Sequence, residues 1–223
     1  MSAQPGSGST PLGIEEVVGE VVVPAGVTGP DPLTMDVRSY AVAQPAGIVI
    51  IDTGMPGSEA GIAAAVEALG GSFSDVRDII LTHLHQDHIG SLFAIAERAP
   101  LAAIYAGGAD SPDIQSPRRI RPIGEGDAIQ DLGVLATPGH TPGHVSLFHE
   151  PTGTLFIGDA AASAQGNAVR GPEVFTADAS QAEESLARIA GFGPARILFA
   201  HGDEIDTPAE ALGRLIGGPP AQA

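Results

Sequence analysis

The sequence predicts a layered α/β fold built from two mixed strand-and-helix halves, and three observations predict it. Apolar segments of strand length recur along the whole chain and alternate with longer stretches of helical period. Gly- and Pro-rich turns separate these segments, with no linker and no internal repeat at a fixed period between them. Polar residues of catalytic type stand directly behind several of the apolar runs, where layered α/β folds place their ligand sites.

In chain order, "EEVVGEVVVP", "VRSYAVA" and "GIVIID" read as strands. "GSEAGIAAAVEAL" follows as an alanine-rich helix with apolar spacing near 3.6. The buried strand "DIILT" comes next and runs into "IGSLFAIAER", a second helix. In the other half, "LAAIYA", "GVLA", "VSLFHE" and "TLFIGD" read as strands and "ASQAEESLARIAGF" as a helix. "ARILFAHGD" is the last strand, and "TPAEALGRLIG" closes the chain as a helix with Thr207 as its N-cap. Residues 1–12 and 217–223 are small, polar and rich in Pro and Gly, so both read as disordered ends around one domain over residues 13–216.

Composition narrows the function classes. A chain of 223 residues with 43% hydrophobic and 17% charged residues suits a single globular domain with a substantial core. Cysteine is absent, which rules out disulfides and thiolate metal sites and fits a reducing compartment. The opening "MSAQPGSGSTPLG" lacks a basic segment followed by an apolar core, and no apolar run approaches the ~18 residues of a membrane helix, so a cytoplasmic protein is expected. The formal charge is −17 and every basic residue is an arginine, a balance that disfavours nucleic acid and anionic membranes and leaves a small molecule as the expected partner. The one basic cluster, Arg118, Arg119 and Arg121 in "SPRRIRP", reads as a solvated loop.

The chemistry is concentrated in "LTHLHQDHIG", residues 81–90, which holds three of the seven histidines within six positions. Even scattering would put about 0.2 there. If the segment is extended, alternation turns His83, His85 and Asp87 to one side, while His88 approaches from the bend where a helix begins. Further candidates stand at comparable strand exits: His140 or His144 in "TPGHTPGH", Asp159 in "FIGDA" and His201 in "LFAHGD". A single histidine after a strand is usually a hydrogen-bonded structural residue. The set together supplies five histidines and two aspartates, enough donors for two metal ions, and imidazole with carboxylate suits zinc, iron or manganese.

In this order, H-x-H-x-D-H, T-P-G-H-T-P-G-H, G-D and H-G resemble the metallo-β-lactamase superfamily, from "IDTG" (51–54) to "AHGD" (200–203). The resemblance implies a four-layer αββα sandwich, two mixed sheets flanked by helices, with a site for two divalent ions along one sheet edge. It assigns His83, His85 and His140 to the first ion and Asp87, His88 and His201 to the second, with Asp159 bridging them. His140 lies inside a loop between two Pro-Gly turns, whereas His144 leads straight into "VSLF" and is expected to support the site from behind or to pack. Asp52 reads either as a carboxylate behind the ligands or as a turn aspartate. The implied chemistry is hydrolysis of a small ester, lactone or related carbonyl compound by a metal-bridging hydroxide, with Asp87 orienting the nucleophile or relaying a proton.

Members of the superfamily differ in substrate. Relatives acting on glutathione thioesters carry a basic C-terminal extension, whereas here 22 residues follow His201 and none is lysine. Acyl-homoserine lactonases place a tyrosine three positions after the bridging aspartate, where this chain has Ala162. True β-lactamases lack that aspartate, so the chain resembles the general hydrolase branch, with weak β-lactam hydrolysis still compatible. The alternative from another class is an iron-dependent oxidoreductase like the persulfide dioxygenases, which usually carry cysteine where His144 stands.

Overall fold

A computed structural model describes residues 12–217 of the chain. Two sheets carry the fold. The first begins with an antiparallel meander, β1 (Ile14–Val23), β2 (Leu33–Gln44) and β3 (Gly47–Ile51). It continues in parallel through β4 (Val76–Leu81), β5 (Ala103–Gly107) and β6 (Ile120–Ile123), so that sheet order follows chain order. The second sheet has β7 (Ala128–Ile129), β8 (Leu132–Ala136), β9 (Val145–His149) and β10 (Thr154–Gly158) as antiparallel neighbours. After a small hairpin of β11 (Ala162–Ala164) and β12 (Asn167–Val169), β13 (Arg196–Phe199) returns parallel to β10 at the edge.

Strand alternation divides the apolar residues into layers. In β4, Ile79 and Leu81 face one apolar cluster and Ile80 faces another. Ile79 and Leu81 meet Ile62 and Val66 of helix α1 (Glu59–Ala68). They also meet Leu92 and Ile95 of helix α3 (Leu92–Arg98), which follows the one-turn helix α2 (Gln86–Ile89). Ile80 instead meets Val134, Leu147 and Phe156 of the opposite sheet. In β10 and β13, Leu155, Ile157, Ile197 and Phe199 pack on Leu186 and Ile189 of α4 (Ala179–Gly191) and Leu212 of α5 (Pro208–Gly217). Phe156 and Leu198 turn inward between the sheets. Helix, sheet, sheet, helix is the αββα sandwich that the resemblance implied. Strands buried on both faces read as near-continuous apolar runs, which is why β3, β4, β10 and β13 were recognisable as segments.

Several local readings change. "IGSLFAIAER" is not one helix, because Gly90 and Ser91 separate α2 from α3. Ser91 Oγ donates to the Met55 carbonyl (2.6 Å) and accepts from Ser58 N–H (3.0 Å), tying this break to the loop ahead of α1. Thr207 does precede α5, and its carbonyl accepts from Ala211 N–H at 2.9 Å. The proposed ends at 1–12 and 217–223 lie outside the described residues except for Leu12, which packs against the inter-sheet cluster, and Gly217, the last residue of α5. Among the described residues no helix is long and apolar enough to cross a membrane.

The arginine cluster is not a solvated loop. Arg118 donates to the carbonyls of Ala96 (2.7 Å), Ala99 (3.0 Å) and Ala102 (3.0 Å), closing the C-terminal end of α3, where a cation also meets the negative end of the helix dipole. Arg121 lies over the Tyr105 ring from the edge strand β6, and Arg119 stays exposed. Arg118→Met, which keeps the aliphatic stem, should therefore cost about 1–2 kcal/mol in urea unfolding. An unchanged midpoint would return Arg118 to the solvent.

Candidate metal centre

Five strand exits, three from the first sheet and two from the second, meet at one edge of the sandwich. Asp52 follows β3, His83 follows β4, Asp110 follows β5, Asp159 follows β10 and His201 follows β13. The β8–β9 connection adds His140 and His144 from the side. Chain direction alone thus brings residues far apart in sequence to a common edge.

The histidines form one packed group. His83 is fully buried, with the rings of His85, His88 and His140 at centroid distances of 4.7, 4.0 and 4.7 Å. The Asp159 carboxylate sits 3.3 Å from His88 Nε2, 3.3 Å from His140 Nε2, 3.3 Å from His201 Nε2 and 3.9 Å from His83 Nε2. Asp87 reaches 3.5 Å from His201 Nε2 and 3.8 Å from His88 Nε2. Three groups offer ligand atoms within 4.8 Å of one another: His83, His85 and His140; Asp87, His88 and His201; and His83, His88 and Asp159. The third group draws one histidine from each of the other two.

The grouping overturns one expectation. His83, His85 and Asp87 do not share a side, because β4 ends at Leu81, His85 is still extended, and the helix α2 that carries Asp87 begins at Gln86. The helical turn swings Asp87 toward His201 and leaves His85 facing His140, with His85 Nδ1 2.9 Å from His140 Nε2.

The rings are oriented by bonds on their outer nitrogens. His201 Nδ1 lies 2.5 Å from the Asp36 carbonyl, so it is the donor and Nε2 faces the cluster as an acceptor. His88 Nδ1 lies 2.8 Å from Asp52 Oδ2, and His83 Nδ1 lies 3.1 Å from Thr82 Oγ1. Asp52 also accepts from Thr82 N–H and Thr82 Oγ1, each at 2.8 Å, and adopts a left-handed φ of 58°. It is both a turn aspartate and the carboxylate behind His88. His144 does not face the group: its Nδ1 is 2.8 Å from Thr137 Oγ1 and its Nε2 accepts the Asp159 N–H at 2.9 Å. Gly158, at φ 58°, makes room for that bond, since a Cβ there would stand 2.6 Å from His144 Nε2.

The inner atoms lack such partners. Among the described residues five buried side-chain nitrogen or oxygen atoms have no hydrogen-bond partner, and His83 Nε2, His88 Nε2 and Asp159 Oδ1 are three of them. Burial pushes His83 and His85 below the ordinary imidazole value, His140 down to about 4 and His144 down to about 3, so these rings are held neutral with a lone pair available. Burial also opposes charge on His88, but the Asp159 and Asp52 carboxylates outweigh it and raise its pKa. Burial likewise opposes charge on Asp159, and His88 and His201 outweigh it and keep the carboxyl well below its ordinary value. His83, His85 and His140 as neutral imidazoles and Asp159 as an ionised carboxylate are donors that a divalent cation requires, and a cation at His88 would take the place of the proton that the two carboxylates favour there, so the residues fit one.

Sequence reasoning missed Asp110. Fully buried, it accepts from Gly143 N–H (2.6 Å), Thr141 Oγ1 (2.6 Å) and Leu84 N–H (3.2 Å), fastening the His83–His85 segment to the His140 loop. Its only signal was its place behind β5 in "IYAGGAD", the same strand-exit position that singled out Asp159. Asp110→Ala leaves three donors unmatched and should lower unfolding stability by about 3 kcal/mol. A loss under about 0.5 kcal/mol would mean that the two loops hold each other without it.

A cleft of about 390 Å³ opens onto His85, Asp87, His140, Asp159 and His201, and Ala162 lies in its wall.

The comparisons with known proteins agree with this architecture. The family model of the metallo-β-lactamase superfamily matches residues 34–201. A Bacillus subtilis protein named YobT, of uncharacterised function, is 30% identical over 215 residues, covering 83% of this chain and 91% of its own length. The probable metallo-hydrolase YflN of the same organism is 30% identical over 203 residues, covering 72% of this chain and 77% of its own. A hydroxyacylglutathione hydrolase of Klebsiella pneumoniae is 34% identical over 115 residues, a stretch that spans only 41% of that enzyme. Among solved structures, the metallo-β-lactamase family protein TTHA1429 of Thermus thermophilus superposes with a TM-score of 0.69 at 21% identity, over 92% of this chain and 78% of that one. TTHA1623 in a di-iron-bound form gives 0.65 at 27% identity, over 78% and 92%. The match over residues 34–201, carried on an αββα sandwich, establishes that this chain belongs to the metallo-β-lactamase superfamily.

Proposed function

We propose that the chain is a binuclear metal-dependent hydrolase that cleaves a small ester, lactone or related carbonyl substrate. The observation that carries this reading is the triplet of buried, unpartnered atoms on His83, His88 and Asp159, set between two histidine groups, with Asp159 lining a cleft beside His85, His140 and His201. His83, His85 and His140 would hold a first ion, and Asp87, His88 and His201 a second. Asp159, close to members of both groups, would serve both. When bound, divalent ions lower the pKa of water toward neutrality and polarise a carbonyl oxygen.

The remaining steps belong to the chain's own side chains. The Asp36 carbonyl and the Asp52 carboxylate fix which nitrogens of His201 and His88 point inward. Asp87 lines the cleft and is the carboxylate placed to orient the attacking water and to pass its proton to the leaving group. His144 holds the backbone of Asp159 in position through its N–H. Relatives named metallo-hydrolase and hydroxyacylglutathione hydrolase support hydrolysis as the reaction class. Zinc is the occupant we favour for the imidazole-carboxylate donors, and the di-iron form of TTHA1623 supports iron as the second reading.

Chelation should abolish hydrolysis on an ester and lactone panel, and zinc or manganese should restore it, with two ions per chain by elemental analysis. His140→Ala should lose the first ion and lower kcat by about 10³ or more, while His144→Ala should keep both ions and appreciable activity. Turnover unaffected by chelator would overturn the reading. One iron per chain, with no esterase activity, would replace it by the oxidoreductase alternative.

A further inference from the structure

The cleft has two unlike walls. One is the cluster of histidines and aspartates. The other is built by the β1–β2 arm, through Val21, Val22, Val27 and Met35, and by Phe175 with Pro172 across the opening. Among the described residues, Gln86 is the one polar side chain lining this space outside the histidine-aspartate cluster, and it is exposed. No arginine borders the cleft, and the chain has no lysine.

An adjoining hollow of about 610 Å³, which shares Val27, His140, Asp159 and Pro172, does contain Arg170. That guanidinium is already paired. Its Nε and Nη2 donate to the Glu183 carboxylate, Nη2 at 2.8 Å, and Nη2 also donates to the Leu215 carbonyl at 3.0 Å. Glu173 adds a negative charge to the same hollow. An anionic group on a substrate therefore finds no free arginine among the described residues on the side away from the histidines, and the net charge of −17 opposes its approach.

Apolar atoms fare differently. Val22 is 55% exposed and Val27 42% exposed, so a ligand chain laid on this arm removes both its own apolar surface and the arm's from water. Each methylene so buried strengthens binding about fourfold, whereas a carboxylate in the same place loses its hydration with no partner in return.

We propose that the substrate of this site carries an uncharged, apolar acyl chain seated on the β1–β2 arm and Phe175, and that acyl chains ending in a carboxylate are rejected. The proposal rests on the hydrolase reading for its reaction but on the wall chemistry alone for its selectivity, so the two are tested separately.

In the metal-free protein, Nile red should bind in the cleft and lose that binding in Phe175→Asp. Octanamide should displace the dye at a concentration about 10-fold or more below that of the monoamide of octanedioic acid. In the metal-loaded protein, kcat/KM should rise along the p-nitrophenyl esters from acetate to octanoate. It should favour p-nitrophenyl pentanoate over the p-nitrophenyl monoester of succinic acid by about 10-fold or more. Val27→Arg, on an exposed loop, should narrow that ratio. Equal displacement by the two amides, or an equal or reversed ester ratio, overturns the proposal. Selective displacement without hydrolysis of any ester would overturn the hydrolase reading and leave the acyl preference standing.

Discussion

Burying a polar atom without a partner costs about 1–3 kcal/mol, and this fold does so on His83, His88 and Asp159 within one cluster. Everything around the cluster is arranged to keep those atoms where they are. Thr82, Asp52 and the Asp36 carbonyl engage the outer nitrogens of His83, His88 and His201, and His144 holds the backbone of Asp159. Such positioning makes sense only if the inner atoms are completed by something the chain does not encode. A divalent cation suits the charge and the softness of these donors, and the proposed pair would occupy the two histidine groups.

The sandwich makes this arrangement affordable in conformational terms. Ile79, Ile80 and Leu81 lock β4 between two apolar layers, so the chain emerges from the core at a fixed place one residue before Thr82 and two before His83. Leu155, Phe156 and Ile157 do the same for Asp159, and Ile197, Leu198 and Phe199 for His201. A loop carrying ligands would have to be ordered by the metal itself. Strand ends are ordered by the core beforehand, and Asp110 extends that order to the loop that carries His140.

Much of this was legible in the sequence, for identifiable reasons. Ligand chemistry tolerates few residue types, so His83, His85, Asp87, His88, His140, Asp159 and His201 stood out by identity and order. Doubly buried strands left continuous apolar runs. Asp110 was hidden because a carboxylate that accepts backbone N–H bonds looks like any turn aspartate, and Arg118 because its partners are carbonyls, which every residue has. Strand β6 was obscured by Pro122 and Arg121, which an edge strand accepts and a central one does not. The β11–β12 hairpin turns through Gln165 and Gly166 at φ 52° and 73°, with strands too short and too small in side chain to register as a pattern. Alternation misjudged Asp87 because a single helical turn replaces the extended backbone at that point.

If the cluster is completed by metal, the native state gains stability that grows with the logarithm of free metal concentration above Kd. At a thousandfold excess over Kd each ion contributes about 4 kcal/mol, which for a domain of this size is about 10 °C. Thermal unfolding of the unmodified chain in chelator and in excess zinc is therefore the most direct test of the account. A melting temperature higher by about 10 °C or more in zinc is the predicted result. Coincident unfolding curves in the two conditions would contradict it.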